Sequence, residues 1–209
     1  MARLSGWQAA LATFAAAFIL SACPSFAQQA SDAVAPETAS GTAEKHIVLA
    51  HRHMVVAANP LAAEAGLEVL RDGGNAADAL VAVQTVLGLV EPQSSGLGGG
   101  AFLVWYDAKE KKLTTIDGRE TAPAEVTPSL FLDTDGKPLP FFEAVVGGRS
   151  VGTPGTVRLL EAIHGKYGKR NWSGLFDRAI DLAEKGFAVS PRLHNEIAED
   201  MGRLDKQPA

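Results

Sequence analysis

The sequence predicts an α/β protein, on three observations. Ala76 to Val90 is apolar almost all round and bounded by cap signals, so it reads as a central buried helix. Ala101 to Tyr106 and Leu113 to Asp117 are β-branched and aromatic runs joined by a charged turn, Asp107 to Lys112, which reads as an antiparallel hairpin. From Thr153 onward the chain carries repeated helix starts and stops. The 209 residues are 46% hydrophobic and 21% charged, an ordinary globular composition. A formal charge of -5 without basic runs speaks against a nucleic-acid partner.

In order, Leu11 to Leu20 is an apolar run too short to span a bilayer, and Ser25-Phe26-Ala27 is a small-x-small cleavage site. Residues 1–27 are therefore expected to be a secretory signal, with export to the periplasm or medium. An alternative is a lipobox at Leu20-Ser21-Ala22-Cys23, with Cys23 lipidated and retained. Cys23 is the sole cysteine, so no internal disulfide is expected. Residues 28–45 are small, polar and aperiodic and are expected to be a flexible mature N-terminus, with order beginning near His46.

Ile47 to Ala50 and Met54 to Ala58 read as short strands. Asn59 and Pro60 open a helix with an apolar face at Leu61, Ala65 and Val69, closed by Gly73-Gly74. Asn75 and Asp78 form a capping box for the buried helix, and Glu91-Pro92 ends it. Asp133 to Gly136 is a β-turn without the later ligands of a calcium loop. Thr153 is expected to cap, and Pro154 to open, a helix running to about Tyr167. A further helix spans Ser173 to Lys185, and Ser190-Pro191 begins a last one. The chain stops soon afterwards without a closing strand, which reads as a truncated end.

Gly96, Gly98 and Ala101 fit the dinucleotide fingerprint G-x-G-x-x-[G/A], with Glu120 at a distance suited to a ribose-binding acid. Element order rejects that reading. A helix precedes these glycines and a strand follows, so helix carbonyls rather than amides would face a phosphate. No Lys-Ser/Thr follows for a P-loop. Ser94 and Ser95 lack a nucleophile elbow, Thr114 and Thr115 read as sheet surface, and His51 with His53 lack a third zinc ligand. Asp117 to Pro123 remains. Arg119, at a strand end beside Gly118, could grip a carboxylate with two parallel hydrogen bonds, or could simply pair with Glu120 or Asp117 at the surface. Gly118 leaves room for a ligand or another backbone. The glycines of 96–100 are expected to act sterically, letting the backbone pack under this hairpin, so that Gly99→Val would damage folding before affinity.

Five segments together resemble the γ-glutamyltransferase (γ-glutamyltranspeptidase) family of N-terminal nucleophile hydrolases. They are Gly73 to Ala79, Leu97 to Phe102, Asp117 to Pro123, Gly152 to Val157 and Ala183 to Phe187, within a match from about Met54 to Val189. The resemblance implies an αββα sandwich and a precursor that autocleaves into large and small subunits. It implies an N-terminal threonine nucleophile whose own α-amine serves as base. The γ-glutamyl group of glutathione or a related amide passes to that threonine, then to water or to an amino-acid or peptide acceptor. No metal or organic cofactor is implied. Arg119 matches the family arginine for the substrate α-carboxylate, and Glu120 would help orient it. A bulkier residue often stands where this chain has Gly118, which blurs the substrate assignment. Thr153 is not the nucleophile, since cleavage there would leave Pro154 behind it. The catalytic threonine and oxyanion glycines are expected beyond Ala209, so residues 46–209 would be the N-terminal part of the large subunit, with no catalytic residue of its own. Residues 28–209 alone are expected to release no γ-glutamyl group and to fold only partially. Two rivals remain: a cephalosporin or glutaryl acylase of the same fold, and a secreted, non-catalytic binding protein. Asn171-Trp172-Ser173 would be a glycosylation sequon only in a eukaryotic host.

Overall fold

The computed structural model describes residues 46–206; the expected signal and N-terminal segment, 1–45, lie outside the described residues. Helix α1 (Pro60–Arg71) starts at Asn59, whose side chain accepts from the Leu61 amide. Helix α2 (Ala76–Val90) has the expected capping box: Asn75 Oδ1 accepts from the amides of Ala77 and Asp78, and Asp78 Oδ2 in turn accepts from the Asn75 amide at 2.8 Å. Gly73, at φ 86°, makes the reversal between the two helices, a conformation that costs a side chain strain.

The core follows from α2. Its Ala82, Val86 and Val90 pack on Ala62 and Ala65 of α1, small residues that bring the helices close. A Cβ at Gly66 would collide with Val83 across that contact. The opposite side of α2 offers Val81 to a second cluster, with Leu159, Leu160 and Leu175. Fully burying each such valine or leucine is worth about 1.5–3 kcal/mol, which fixes α2 as the central element.

Strands β1 (Ala101–Asp107) and β2 (Lys112–Gly118) pair antiparallel, with Leu103 opposite Ile116 and Ala101 opposite Gly118. Ala101, Leu103 and Ile116 pack on the second core cluster. The other face carries Phe102, Val104, Tyr106 and Leu113, each at least 60% exposed. An apolar sheet face of this kind is what a sandwich covers with its other sheet. The described residues supply one hairpin and the helices on one side of it.

Beyond the hairpin come a short helix α3 (Phe141–Val145), which the sequence reading missed, and a 3-10 turn at Gly148–Ser150. Helix α4 (Thr156–Tyr167) lays Leu159, Leu160 and Ile163 into the core. A 3-10 turn at Ser173–Phe176 leads into α5 (Asp177–Lys185), ended by Gly186 at φ 80°. Helix α6 (Pro191–Leu204) is capped by Ser190, as expected. The Asp133–Gly136 turn also forms, with Asp133 Oδ1 accepting from the amides of Asp135 and Lys137.

Two expectations need correction. Residues 47–50 and 54–58 are not strands: Ile47, Val48, Leu49 and Val56 are largely exposed, and no described segment pairs with them. Extended, β-branched sequence becomes a strand only where a neighbour completes the ladder. Thr153 does not cap α4. Its backbone forms an antiparallel bridge with Thr121, and the helix begins after Gly155.

Candidate functional site

The site is built around the chain segment Gly118 to Thr121, held from three sides by backbone. From below, Gly155 crosses the end of β2 so closely that a Cβ there would land on the Gly118 carbonyl. From one flank, Thr121 and Thr153 exchange backbone hydrogen bonds at 3.4 and 2.8 Å. From the other, Gly100 lies against Glu120: a Cβ on Gly100 would sit 2.7 Å from the Glu120 amide nitrogen and collide with its carboxylate. A Cβ on Gly152 would come within 2.9 Å of Glu120 Cβ. Glu120 thus occupies a socket whose walls are glycine backbone.

That socket aims Arg119. Glu120 Oε2 forms an ion pair with Arg119 Nε at 3.0 Å, and Asp117 Oδ1 accepts from the Arg119 backbone amide at 2.9 Å. The surface-pair reading and the carboxylate-grip reading are therefore compatible. Glu120 takes the Nε corner of the guanidinium, while the two terminal nitrogens have no partner among the described residues. A planar fork with one corner fixed and its outer edge open is suited to bidentate binding of a carboxylate. The Arg119 side chain is 67% exposed and lines a cleft of about 360 Å³ with Pro123, Val126, Phe131 and Arg149.

Gly118 resolves one of the open choices. A Cβ there would stand 2.9 Å from Leu159 of α4, so the room its missing side chain leaves is taken by the core rather than by a ligand, while the cleft lies on the side of the Arg119 side chain. The glycine stretch itself divides. Gly96 and Gly98 have open space around an added Cβ, Gly99 has ordinary contacts, and the steric demand falls on Gly100. Gly99 acts instead through its carbonyl, which accepts from the amides of Gly155 and Thr156. The N-terminus of α4, the place where an anion could have bound, is thus already occupied by backbone.

The other candidates have structural work. Ser95 Oγ accepts from Gln84 Nε2 at 2.7 Å, and Ser94 Oγ accepts from Arg192. His51 and His53 are exposed. Sequence reasoning missed two anchors. Asp78, fully buried, is more than a cap: its carboxylate also accepts from the amides of Lys169 and Arg170, and His164 Nε2 stands 3.4 Å away. Among the described residues, no hydroxyl or thiol hydrogen-bonds to His164, so this pair ties the loop after α4 to the start of α2. Glu91, 3% exposed, accepts from Asn59, Gln93 and Arg192, joining the ends of α1, α2 and α6. Both acids stand at helix boundaries, where sequence assigns a cap or a stop and cannot see a distant partner.

The fold is that of part of an N-terminal nucleophile hydrolase, as solved structures show. The Helicobacter pylori γ-glutamyltranspeptidase crystal structure superposes with a TM-score of 0.72 at 38% identity, covering 78% of this chain and 46% of that one. A cephalosporin acylase from Bacillus halodurans superposes at 0.65 with 30% identity, covering 84% of this chain and 32% of that one. The sequence model described as Gamma-glutamyltranspeptidase matches residues 62–209, and the chain belongs to that family. Among curated relatives, the glutathione hydrolase proenzyme of Bacillus subtilis strain 168 is 47% identical over 156 residues. That alignment takes in 75% of this chain but only 27% of the relative.

Proposed function

We propose that the full-length protein moves γ-glutamyl groups from glutathione and related γ-glutamyl amides to water or to an amine acceptor, and that Arg119 holds the substrate α-carboxylate. The observation that carries this reading is the open edge of the Arg119 fork, its Nε corner held by Glu120 in a glycine socket within the family's own motif. The reaction needs a nucleophile that attacks the γ-carbonyl carbon. In this reading it is an N-terminal threonine, exposed by autocleavage beyond Ala209, whose hydroxyl proton passes to its own α-amine. The C–N bond breaks, the departing amine takes a proton, and the acyl-threonine ester is then opened by water or by an acceptor amine. Arg119 contributes by orientation. A clamped α-carboxylate leaves the γ-carbonyl at a fixed distance from the nucleophile, and such positioning supplies much of the rate advantage of an enclosed site. The large subunit's partner would be its own small subunit, and export through cleavage after Ala27 would place the enzyme in the periplasm or medium. No cofactor is invoked.

The acylase reading keeps a place because the chain also superposes on the Bacillus halodurans cephalosporin acylase. Glutaryl groups carry a carboxylate but no α-amine. The test is release of nitroaniline by the full-length protein from γ-glutamyl-4-nitroanilide and from glutaryl-4-nitroanilide. The proposal expects the first to be preferred. Preference for the second favours the acylase, and release from neither favours the non-catalytic binding protein.

A further inference from the structure

The cleft beside Arg119 holds a second guanidinium that the γ-glutamyl reading does not use. Arg149 sits on the 3-10 turn Gly148–Ser150, and both arginines line the cleft. Its backbone is held in place: Ser150 Oγ donates to the carbonyls of Val145 and Gly147, and Gly147 makes the bend at φ 98°. Among the described residues no carboxylate pairs with Arg149, in contrast to Arg119, whose Nε corner is engaged by Glu120. Val126, Phe131 and Val151 form the apolar lining shared with these two cations. Glu120 is the sole carboxylate in that lining, so the cleft carries an excess of positive charge. Its volume, about 360 Å³, falls within the range of small-molecule sites.

A cleft lined by two arginines together with apolar side chains suits a molecule with two carboxylates separated by a less polar stretch. We propose that Arg149 reads a second carboxylate, carried on the leaving amine of the substrate, while Arg119 reads the α-carboxylate of the γ-glutamyl group. This rests on the proposed role of Arg119. The assignment of the second carboxylate to the leaving side follows from connectivity: a γ-glutamyl group has a single free carboxylate, and once Arg119 holds it, any other anionic group must lie beyond the scissile amide. Because an acceptor amine enters where the leaving amine departs, acceptors bearing a carboxylate use the same arginine. Arg149 is therefore the residue that favours leaving and acceptor amines bearing a carboxylate over neutral amines.

The experiment compares two chromogenic substrates in the full-length protein: γ-glutamyl-4-nitroanilide, whose leaving amine is neutral, and γ-glutamyl-3-carboxy-4-nitroanilide, whose leaving amine carries a carboxylate. The readout is the ratio of kcat/KM for the carboxylated over the neutral substrate. Arg149→Gln should lower that ratio about tenfold, the scale of losing one charge-assisted contact, and Arg149→Lys should restore part of it. Arg119→Gln should depress both substrates together and leave the ratio near its wild-type value. An unchanged ratio in Arg149→Gln overturns the proposal while leaving Arg119 in place. An Arg119→Gln enzyme with both substrates unaffected overturns the α-carboxylate reading, and the proposal for Arg149 falls with it. A wild-type protein that cleaves neither substrate also overturns both.

Discussion

Replacing Gly100 with alanine adds a single methyl group where the structure has no room for one. The new Cβ would lie 2.7 Å from the Glu120 backbone nitrogen and 2.8 Å from its carboxyl carbon, against the 3.5–4.0 Å that carbon contacts prefer. The side chain of Glu120 could swing away, but its backbone nitrogen is held. The Ala101–Gly118 pairing fixes it on one side and the Thr121–Thr153 bridge on the other. Overpacking against a fixed backbone costs about 1–3 kcal/mol. The strain is relieved most easily by expelling the Glu120 carboxylate from its socket, which releases Arg119 Nε. Gly100→Ala should therefore lower the urea midpoint of the full-length protein and raise KM for γ-glutamyl-4-nitroanilide several-fold. Gly98→Ala is the matched control. An added Cβ at Gly98 meets nothing within 4 Å and its backbone is not in the left-handed region, so both quantities should stay near wild type. If Gly98→Ala and Gly100→Ala behave alike, or if Gly100→Ala leaves KM unchanged, the socket does not aim the arginine.

The remaining predictions concern the frame around that socket. Gly155→Ala should be harsher than Gly100→Ala, near the top of the overpacking range at about 3 kcal/mol, because the added Cβ meets the Gly118 carbonyl, backbone against backbone; the drop in urea midpoint and the yield of soluble protein measure it. Asp78→Asn turns an acceptor of the Asn75, Lys169 and Arg170 amides into a side chain with a donor facing some of them, for a loss of about 3 kcal/mol. Its signature in hydrogen exchange should be lost protection at the start of α2 and in residues 168–170 together, with the hairpin amides less affected.

Much of this frame was legible in the sequence because it is local. The caps at Asn59, Asn75 and Ser190 and the stops at Gly73 and Gly186 are each decided by residues within one helical turn. The hairpin was legible from its β-branched and aromatic runs about a charged turn, and α2 from its apolar length between cap signals. Thr153-Pro154 failed for the opposite reason. A Thr-Pro pair is a helix start by local rule, but the Thr153 amide and carbonyl are claimed by Thr121, and the first amides of α4 are claimed by the Gly99 carbonyl. The segments 47–50 and 54–58 failed because β propensity says nothing about whether a neighbouring strand is at hand. At the site, Arg119 and Glu120 were reached through a motif, and their 3.0 Å contact could be guessed from adjacency. The socket could not. It depends on which of several adjacent glycines faces Glu120, a choice set by Gly152 and Gly155 more than fifty residues away. Arg149 was invisible for the same reason: nothing in its own segment points to a cleft shared with Arg119.

The central claim is that Arg119 binds a carboxylate through the planar fork that Glu120 and the glycines hold in place. Arg119→Lys in the full-length protein tests it most directly, because the charge stays while the fork is lost. Loss of one of two parallel hydrogen bonds to a carboxylate should raise KM for γ-glutamyl-4-nitroanilide about ten- to a hundredfold. Autocleavage into two subunits should persist, since the substitution sits at an exposed strand end, and its persistence on a gel shows that folding survives. A normally processed Arg119→Lys enzyme with wild-type KM would contradict the account and remove Arg119 from the substrate site.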